Sequence, residues 1–368
     1  MKVAVHVDQL WFSAPGGIGT YIRELVPALA AGGADLTLFR SEWPAPGPDW
    51  LEDYPAAVVP GRIRTLYARW DLLGRPSLPA SLAGQAVVHA TNHAGVPPVR
   101  GRQRLAVTVH DLAFDRFPEM FPRGWRRLYR SGVRAAARRA HAILVPSRAT
   151  AEDLRRRGDV NPARVHVTPL AASLAAGDSD PAPVLERLGL PRPYLLSVGT
   201  QEPRKNLARL VRAYRRVDAP HALVLAGPPG WRDEELEREL ADDGSGRVLR
   251  TGALDAADLD AVYRGADAFA YPSLYEGFGL PVLEALVRGL PAVSSAASSI
   301  PEVAGEAALL VEPTDEEALA EALRRILGDP ALRDDLAARG PVQAARFSWA
   351  ATARATLAAY RSATEEPA

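Results

Sequence analysis

Short apolar runs alternate with amphipathic stretches along nearly the whole chain, and this alternation restricts the fold more than any single motif. The runs at residues 3–7, 36–39, 87–90, 105–109, 142–145 and 164–167 read as buried strands, because they are short and rich in Val, Leu and Ala. Helical patterns lie between several of them, at 18–31, 124–140 and 150–157. A chain that alternates strand and helix builds a parallel sheet with helical crossovers. A segment rich in Ala, Asp and Pro, 171–193, breaks the rhythm and reads as a linker holding one short helix. A second alternating series follows, with runs at 194–198, 207–217, 222–226, 233–241, 247–251, 256–265, 268–271, 281–288, 292–295, 307–311 and 315–327. The expected architecture is α/β: a Rossmann-like domain at 1–170, a linker at 171–193, and a second Rossmann-like domain at 194–346, the two facing across a cleft. Residues 347–368 hold a last, Ala-rich helix over 349–361. The stretch 43–61, rich in Pro and Gly, is expected to be a surface loop.

At 368 residues and 47% apolar content, each domain can bury a full core. No run of 18 apolar residues is present, and the chain enters its first strand directly at Met1-Lys-Val-Ala-Val. Cys is absent, which excludes a disulfide framework, a thiolate nucleophile and thiolate metal ligands. A cytoplasmic protein is expected, placed in part at the inner face of the membrane. The net charge is zero but uneven: residues 1–170 hold 23 Lys+Arg against 14 Asp+Glu, and the remainder 21 against 30. The basic half points to an anionic partner such as phosphate or a membrane surface, or to two domains of opposite charge.

Basic residues are 42 Arg and two Lys. That bias matches a heavily Ala- and Pro-biased composition and not a nucleic-acid binder. It makes Lys205 informative, since Lys is a compact point charge not interchangeable with Arg. Lys205 stands in Glu202-Pro-Arg-Lys-Asn206, after the strand 194–198 and Gly199. Ligands of open α/β sheets bind beyond the carboxyl ends of strands. Arg204 and Lys205 can there neutralise a diphosphate, whose charge grows as it leaves a sugar.

A second strand-to-helix turn reads Tyr275-Glu-Gly-Phe-Gly-Leu-Pro-Val-Leu-Glu284. Gly277 and Gly279 allow close backbone approach. The amides of Phe278, Gly279 and Leu280 open a helix, where unpaired N–H groups and the dipole favour an anion. Glu276 and Glu284 flank that anion site and accept hydrogen bonds from hydroxyl groups. Phosphate in the middle, with ribose and hexose on either side, describes a nucleotide sugar.

These residues resemble glycosyltransferase family 4. The second turn is similar to the E-x7-E motif of its retaining members, in the form E-G-F-G-L-P-x-L-E. Residues 199–206 look like its G-T-x-E-P-R-K-N stretch. The resemblance spans most of the chain and is strongest over 194–348. It implies the GT-B fold, with the C-terminal helix crossing back to the first domain, and a metal-independent retaining transfer without pyridoxal phosphate or another cofactor. It further implies a nucleotide-diphosphate sugar as donor and a hydroxyl as acceptor. GDP-mannose is favoured, since many Glu-Pro-Arg-Lys-Asn members are mannosyltransferases, and UDP-sugars come next.

Residue by residue, the resemblance gives Arg204 and Lys205 the diphosphate, Glu284 the ribose, and Glu276 and His110 the transferred sugar. His110 and Asp111 end the strand 105–109, and Asp111 is expected either to orient the imidazole or to cap a turn. Gly16 and Gly17, in Ala14-Pro-Gly-Gly-Ile-Gly-Thr-Tyr21, resemble the G-G-I-G loop that lies against donor phosphate and acceptor. Their spacing does not suit a dinucleotide fingerprint. Leu254, in Gly252-Ala-Leu254, falls where the family holds the base, and Ser298-Ser-Ile-Pro-Glu-Val-Ala-Gly305 resembles a segment near the donor. His93 is an acceptor-side candidate, and Trp231 is expected to pack its domain.

Asp178-Ser-Asp180 and Asp258-Leu-Asp260 do not follow strands as a metal motif would, and both are expected on the solvated surface. On the helix 123–140, Arg123, Arg126, Arg127, Arg130, Arg134 and Arg138 fall within an arc of about 120°. Such a face either contacts anionic lipid peripherally, guides a phosphorylated acceptor, or is simply solvated. A sugar-nucleotide epimerase, a phosphorylase or a non-catalytic nucleotide-sugar-binding subunit would share the architecture.

Overall fold

Seven parallel strands build the first sheet: β1 (Lys2–His6), β2 (Asp35–Ser41), β3 (Ala56–Val59), β4 (Val87–Ala90), β5 (Arg104–Thr108), β6 (Ala142–Val145) and β7 (Val165–Val167). Their order is β3-β2-β1-β4-β5-β6-β7. The central strands are apolar on both faces, as a parallel sheet covered by helices requires; Val3, Val5, Val107 and Leu144 are wholly buried. This computed structural model describes residues 1–12, 15–173, 177–242, 244 and 246–365. Ala14 of the first glycine run, residues 174–176 of the linker and residues 366–368 of the C-terminal segment lie outside the described residues.

The second sheet holds β8 (Tyr194–Val198), β9 (Ala222–Ala226), β10 (Val248–Gly252), β11 (Ala268–Tyr271), β12 (Ala292–Ser295) and β13 (Ala308–Val311), ordered β10-β9-β8-β11-β12-β13 and again parallel. By packing, the chain divides into Met1–Leu170 with Ser348–Ala368, and Ala171–Phe347. The C-terminal helix Trp349–Glu365 packs in the first unit, against the Gly16–Ala31 helix and strands β5 to β7. Thr352 there donates to the Pro169 carbonyl at 2.6 Å. Several helices start where the sequence supplies a capping side chain. Ser147, Asp255, Asp315 and Asp329 each accept the amide three residues on.

Two local readings are corrected. The stretch 43–61 is not a plain surface loop: it contains a helical turn, Asp49–Asp53, and the edge strand β3, which pairs with β2 from Leu38 opposite Ala56. Pro55 and Pro60 bound that strand, and an edge position tolerates them because one side needs no N–H. Alternate burial along its four residues gave too short a pattern to read. The helix Pro330–Ala344 also escaped the sequence reading, since Gly340 and Pro341 interrupt its pattern. Gly340 is required there by contact, because a Cβ would stand 2.9 Å from the Leu286 carbonyl.

Each sheet reverses its winding once, between β1 and β4 in the first unit and between β8 and β11 in the second. Open α/β sheets bind ligands outside the carboxyl ends of the strands at such a switch point. The loops after β8 and β11 carry the two conspicuous motifs, so topology brings residues 199–206 and 272–279 side by side.

Candidate active site

The loop after β8 folds tightly over its own strand end. Gly199 has φ +152° and lies under the Lys205 stem. Gly227 presses against it from β9, where a Cβ would come within 2.1 Å of the Gly199 carbonyl oxygen. Asn206 closes the loop in the left-handed conformation, φ 60°, which Asn tolerates better than most residues. Its amide donates to the Pro272 carbonyl at 3.0 Å and the Pro313 carbonyl at 2.7 Å. Asn206 thus pins the Lys205 loop to the loop after β11.

Glu276 is the hub of the site. Lys205 Nζ lies 2.7 Å from its Oε1, and Arg204 2.8 Å from its Oε2. Arg204 also donates to Glu202 at 2.5 Å and to the Tyr275 carbonyl at 2.7 Å. The Tyr271 hydroxyl accepts from Lys205 at 2.5 Å and donates to Glu276 at 3.0 Å. Lys205 and Glu276 are 9% and 7% exposed, so both charges are largely withdrawn from water. Burial opposes ionisation of Glu276, but the Arg204 and Lys205 cations outweigh it and hold its pKa at about 2. Burial and the neighbouring Arg204 pull Lys205 below its ordinary value, and the Glu276 carboxylate opposes them.

Two serines fix the backbone of this turn. Ser298, itself at φ 52°, accepts the Glu276 amide at 2.8 Å. Ser299 bonds the Glu276 and Phe278 carbonyls at 2.9 and 2.8 Å. Gly279 precedes the helix Leu280–Val287 with φ +111°, a conformation reserved for glycine, and a Cβ there would meet Ile300 at 2.6 Å. At that helix start the Val282 and Leu283 amides donate to the Gly279 carbonyl at 3.1 and 3.2 Å, and Pro281 has no N–H. Phe278 is buried, Leu280 half-buried, and the Phe278 ring meets Phe347 edge-on at 5.6 Å.

Glu284 sits one turn into the helix, buried, and accepts from Tyr263 at 3.0 Å and Ser173 at 3.4 Å. Burial pushes its carboxyl up, and the hydroxyl bonds and Arg288 only partly oppose this. Leu254 lies half-buried beyond β10. Asp260 overturns the reading of its motif as solvated surface. It is buried, and Arg288 and Arg264 reach its two oxygens at 2.6 and 2.7 Å. Periodicity placed Asp260 on a helix but could not show that Arg288, 28 residues on, would meet it. Asp178 and Asp180 are exposed.

The first unit assembles a different set at its own switch point. Gly16, at φ +58°, and Gly17 open the Gly16–Ala31 helix. His110 Nε2 lies 2.8 Å from the Thr91 carbonyl, which can only accept, so Nε2 carries the proton and Nδ1 is left as an acceptor. Burial pulls its pKa down, partly offset by that bond and by Asp111. Asp111 caps the following turn, accepting the Ala113 amide at 2.9 Å. Tyr21 meets the His110 ring edge-on at 5.0 Å. A buried chain continues from Tyr21 to Thr108 (3.0 Å), His89 (2.8 Å) and Tyr360 of the C-terminal helix (2.6 Å). Burial holds His89 and His93 at a pKa of about 3. The His93 ring packs between Phe114 and Tyr129, with no hydrogen-bond partner for either nitrogen among the described residues.

On the helix Arg123–Arg139, Arg123, Arg127, Arg134 and Arg138 are exposed, as is Trp125. Arg130 instead pairs with Asp115 at 2.6 Å, and Arg126 reaches the Pro118 carbonyl. The opposite face must bury, and Gly132 there touches the His93 backbone so closely that a Cβ would fall 1.8 Å from its oxygen. No helix among the described residues is long and apolar enough to cross a membrane.

Tyr271, Tyr263, Tyr21, His89, Thr91, Thr108 and Tyr360 were not assigned roles from the sequence. Only Tyr271 carried a signal, as the last residue of the strand before Glu276. The rest are single hydroxyls and imidazoles scattered over separate elements.

The chain is similar to known proteins in sequence and in fold. Residues 186–343 match the family model described as Glycosyl transferases group 1, and residues 15–175 that described as Glycosyltransferase Family 4. The chain is 35% identical over 269 residues to O-antigen chain mannosyltransferase B of Escherichia coli, covering 70% of each protein. It is 30% identical over 400 aligned positions to MMP alpha-(1->4)-mannosyltransferase of Mycolicibacterium hassiacum, covering 95% of each. Its structure superposes on sucrose-phosphate synthase from Thermosynechococcus elongatus with a TM-score of 0.77 at 23% identity, over 98% of each chain. With both family models matched in sequence order and both motifs seated at a switch point, the chain belongs to glycosyltransferase family 4, a mannosyltransferase-like enzyme of the GT-B fold.

Proposed function

We propose that this enzyme transfers mannose from GDP-mannose to an acceptor hydroxyl with retention of anomeric configuration and without a metal ion. The observation that carries the reading is the Arg204–Glu276–Lys205 cluster beside a helix start. Lys205 has three N–H donors, of which Tyr271 and Glu276 take two. The third is left for a phosphate oxygen. Arg204 and the first-turn amides at Phe278, Gly279 and Leu280 complete the diphosphate site, and fixed cations aimed at a leaving diphosphate lower the barrier. Glu276 orients both cations and takes a sugar hydroxyl, and Glu284 takes the ribose hydroxyls. His110 offers Nδ1 to a hydroxyl of the transferred sugar. The bond from C1 to the phosphate oxygen breaks with its electron pair going to the diphosphate. The acceptor oxygen bonds to C1 on the same face, and its proton passes to that phosphate oxygen. The names of the two mannosyltransferase relatives support mannose as the sugar.

The exposed stripe of Arg123, Arg127, Arg134 and Arg138 supports peripheral contact with anionic lipid at the inner membrane face. Sedimentation with phosphatidylglycerol vesicles that is lost on reversing Arg127 and Arg134 to Glu is the expected result, and sedimentation unchanged by the reversal would remove it.

The transfer is tested by incubating the protein with GDP-mannose, or with UDP-glucose, and α-mannotriose in EDTA. Proton NMR of the product reads both transfer and anomer. An α-mannoside formed in EDTA is expected. Conversion of the donor without acceptor would identify an epimerase, binding without turnover a non-catalytic subunit, and a β product an inverting enzyme. Each of these contradicts the proposal.

A further inference from the structure

Strands β1 and β2 run side by side, with His6 opposite Phe39, and the chain beyond each ends in aromatic residues that the transfer reaction does not use. Trp11 and Phe12 follow β1, and Trp43 follows β2. The Trp11 and Trp43 rings are near-parallel, 20° apart with centroids at 6.5 Å. Phe12 stands 5.8 Å from Trp43 and is 37% exposed, and both indoles are half-buried.

The rings are held in place from behind. The Trp11 indole N–H donates to the Ala45 carbonyl at 3.0 Å, and that of Trp43 to Asp8 Oδ1 at 3.0 Å. Asp8 is buried and also accepts the Ser41 amide at 2.7 Å, with His6 Nε2 at 2.9 Å. A buried carboxylate therefore fixes the angle of a half-buried surface ring, which simple core packing does not require. The Arg40 guanidinium lies 5.0 Å over the Trp11 ring, and Gly47 fits so closely to that ring that a Cβ would clash at 2.4 Å. Both indole N–H groups are satisfied internally, so neither ring offers a spare donor, and the Arg40 guanidinium covers part of Trp11.

We propose that Trp11, Phe12 and Trp43 form a stacking shelf for a pyranose unit of the acceptor, and hence that the acceptor is an uncharged oligosaccharide. The inference rests on the transferase reading above. A pyranose presents an apolar face of polarised C–H bonds that packs on an aromatic ring, and rigid aromatic residues supply contact area at low entropic cost. The shelf lies at the carboxyl ends of β1 and β2, where α/β sheets take ligands. Its charge selects the occupant. Glu42, Asp49, Glu52 and Asp53 are exposed on the segment that carries or follows Trp43. Against the Arg40 guanidinium over Trp11, these four carboxylates leave the segment net negative, which disfavours an anionic lipid surface or a phosphorylated acceptor and leaves a neutral glycan unopposed.

The test titrates the full chain with α-mannotriose and with maltotriose, following saturation transfer to the sugar protons and indole fluorescence, and in parallel measures the thermal shift given by GDP-mannose. Binding of at least one trisaccharide is expected, weakened at least about tenfold by Trp43→Ala and by Phe12→Ala. If Trp43→Ala fails to fold because Asp8 loses its partner, the exposed Phe12 still decides. Unchanged affinity in folded variants overturns the shelf. So does a wild-type protein that takes GDP-mannose but neither sugar, or one that instead binds phosphatidylglycerol vesicles through Trp43. Shelf-dependent sugar binding without a response to GDP-mannose would keep the shelf and remove GDP-mannose as the donor.

Discussion

The two units carry the same architecture and opposite electrostatics. At the β8/β11 switch point three ionised groups, Arg204, Lys205 and Glu276, meet within hydrogen-bond distance and largely out of water. At the β1/β4 switch point and the strand beside it, burial instead holds His89, His93 and His110 below their ordinary range, and the contacts of His89 and His110 are neutral hydrogen bonds and ring edges. The difference follows from what each half is read to hold. A diphosphate that gains charge needs fixed cations, and fixed cations without substrate need a carboxylate partner. A hydroxyl acceptor needs donors and acceptors that do not themselves change charge.

The strongest way to break this contrast is to remove one member of the charged cluster. Lys205→Met or Glu276→Gln should lower transfer by at least about a thousandfold. Either variant should also destabilise the protein by about 3–5 kcal/mol, because its partner stays buried and unpaired. The Lys205→Met/Glu276→Gln double variant should recover much of that stability and none of the transfer. Denaturant titration and turnover on the same samples separate the two effects, and additive losses in stability would deny the pairing.

Acid sharpens the contrast next. His89 and His93 have folded pKa values of about 3 against an ordinary 6.5, so the stability they confer is present above 6.5 and lost as pH falls toward 3. Glu276, at about 2 against 4.5, holds its contribution until pH drops below 4.5. Asp71, pushed up to about 7 by burial, works the other way, losing its contribution as pH rises from 3.8 through 7, and offsets one histidine. Peptides of the first unit should therefore lose hydrogen-exchange protection on going from pH 7 to 5 while those around β8 and β11 keep theirs. Earlier loss in the second unit would reverse the assignment.

Smaller effects probe the neutral network. Tyr360→Phe removes the bond to His89 and leaves a buried nitrogen unpaired, at a loss of about 1–3 kcal/mol by denaturant titration. His110→Ala removes a neutral contact and should slow transfer by only about tenfold. Burial lowers the His110 pKa, so any step it gives the wild-type pH–rate profile should be centred below 6.5, and a His110-dependent step centred above 6.5 would contradict this.

The second unit's motifs were legible because each is contiguous. Glu276 to Glu284 and Glu202 to Asn206 each put several functional residues on one turn, and Lys205 stood out in a chain that otherwise uses Arg. What the sequence did not show is that the motifs bind each other. Lys205 and Glu276 are 71 residues apart, and only the pairing of β8 with β11 makes them neighbours. Asp260 was misread for the same reason, its Arg288 partner being distant in sequence. In the first unit the polar network draws single residues from β4, β5, the first helix and the last, and no spacing rule links Tyr360 to His89. The edge strand β3 was missed because four residues between two prolines carry too little pattern.

The central claim is that the charged switch point of the second unit receives the nucleotide sugar. Hydrogen exchange of the full chain with and without GDP-mannose in EDTA, with UDP-glucose in parallel, tests it most directly. The account predicts that one of the two donors increases protection over residues 199–206 and 275–284. Binding with protection confined to other segments, or protection that appears only when a divalent metal is restored, would contradict it.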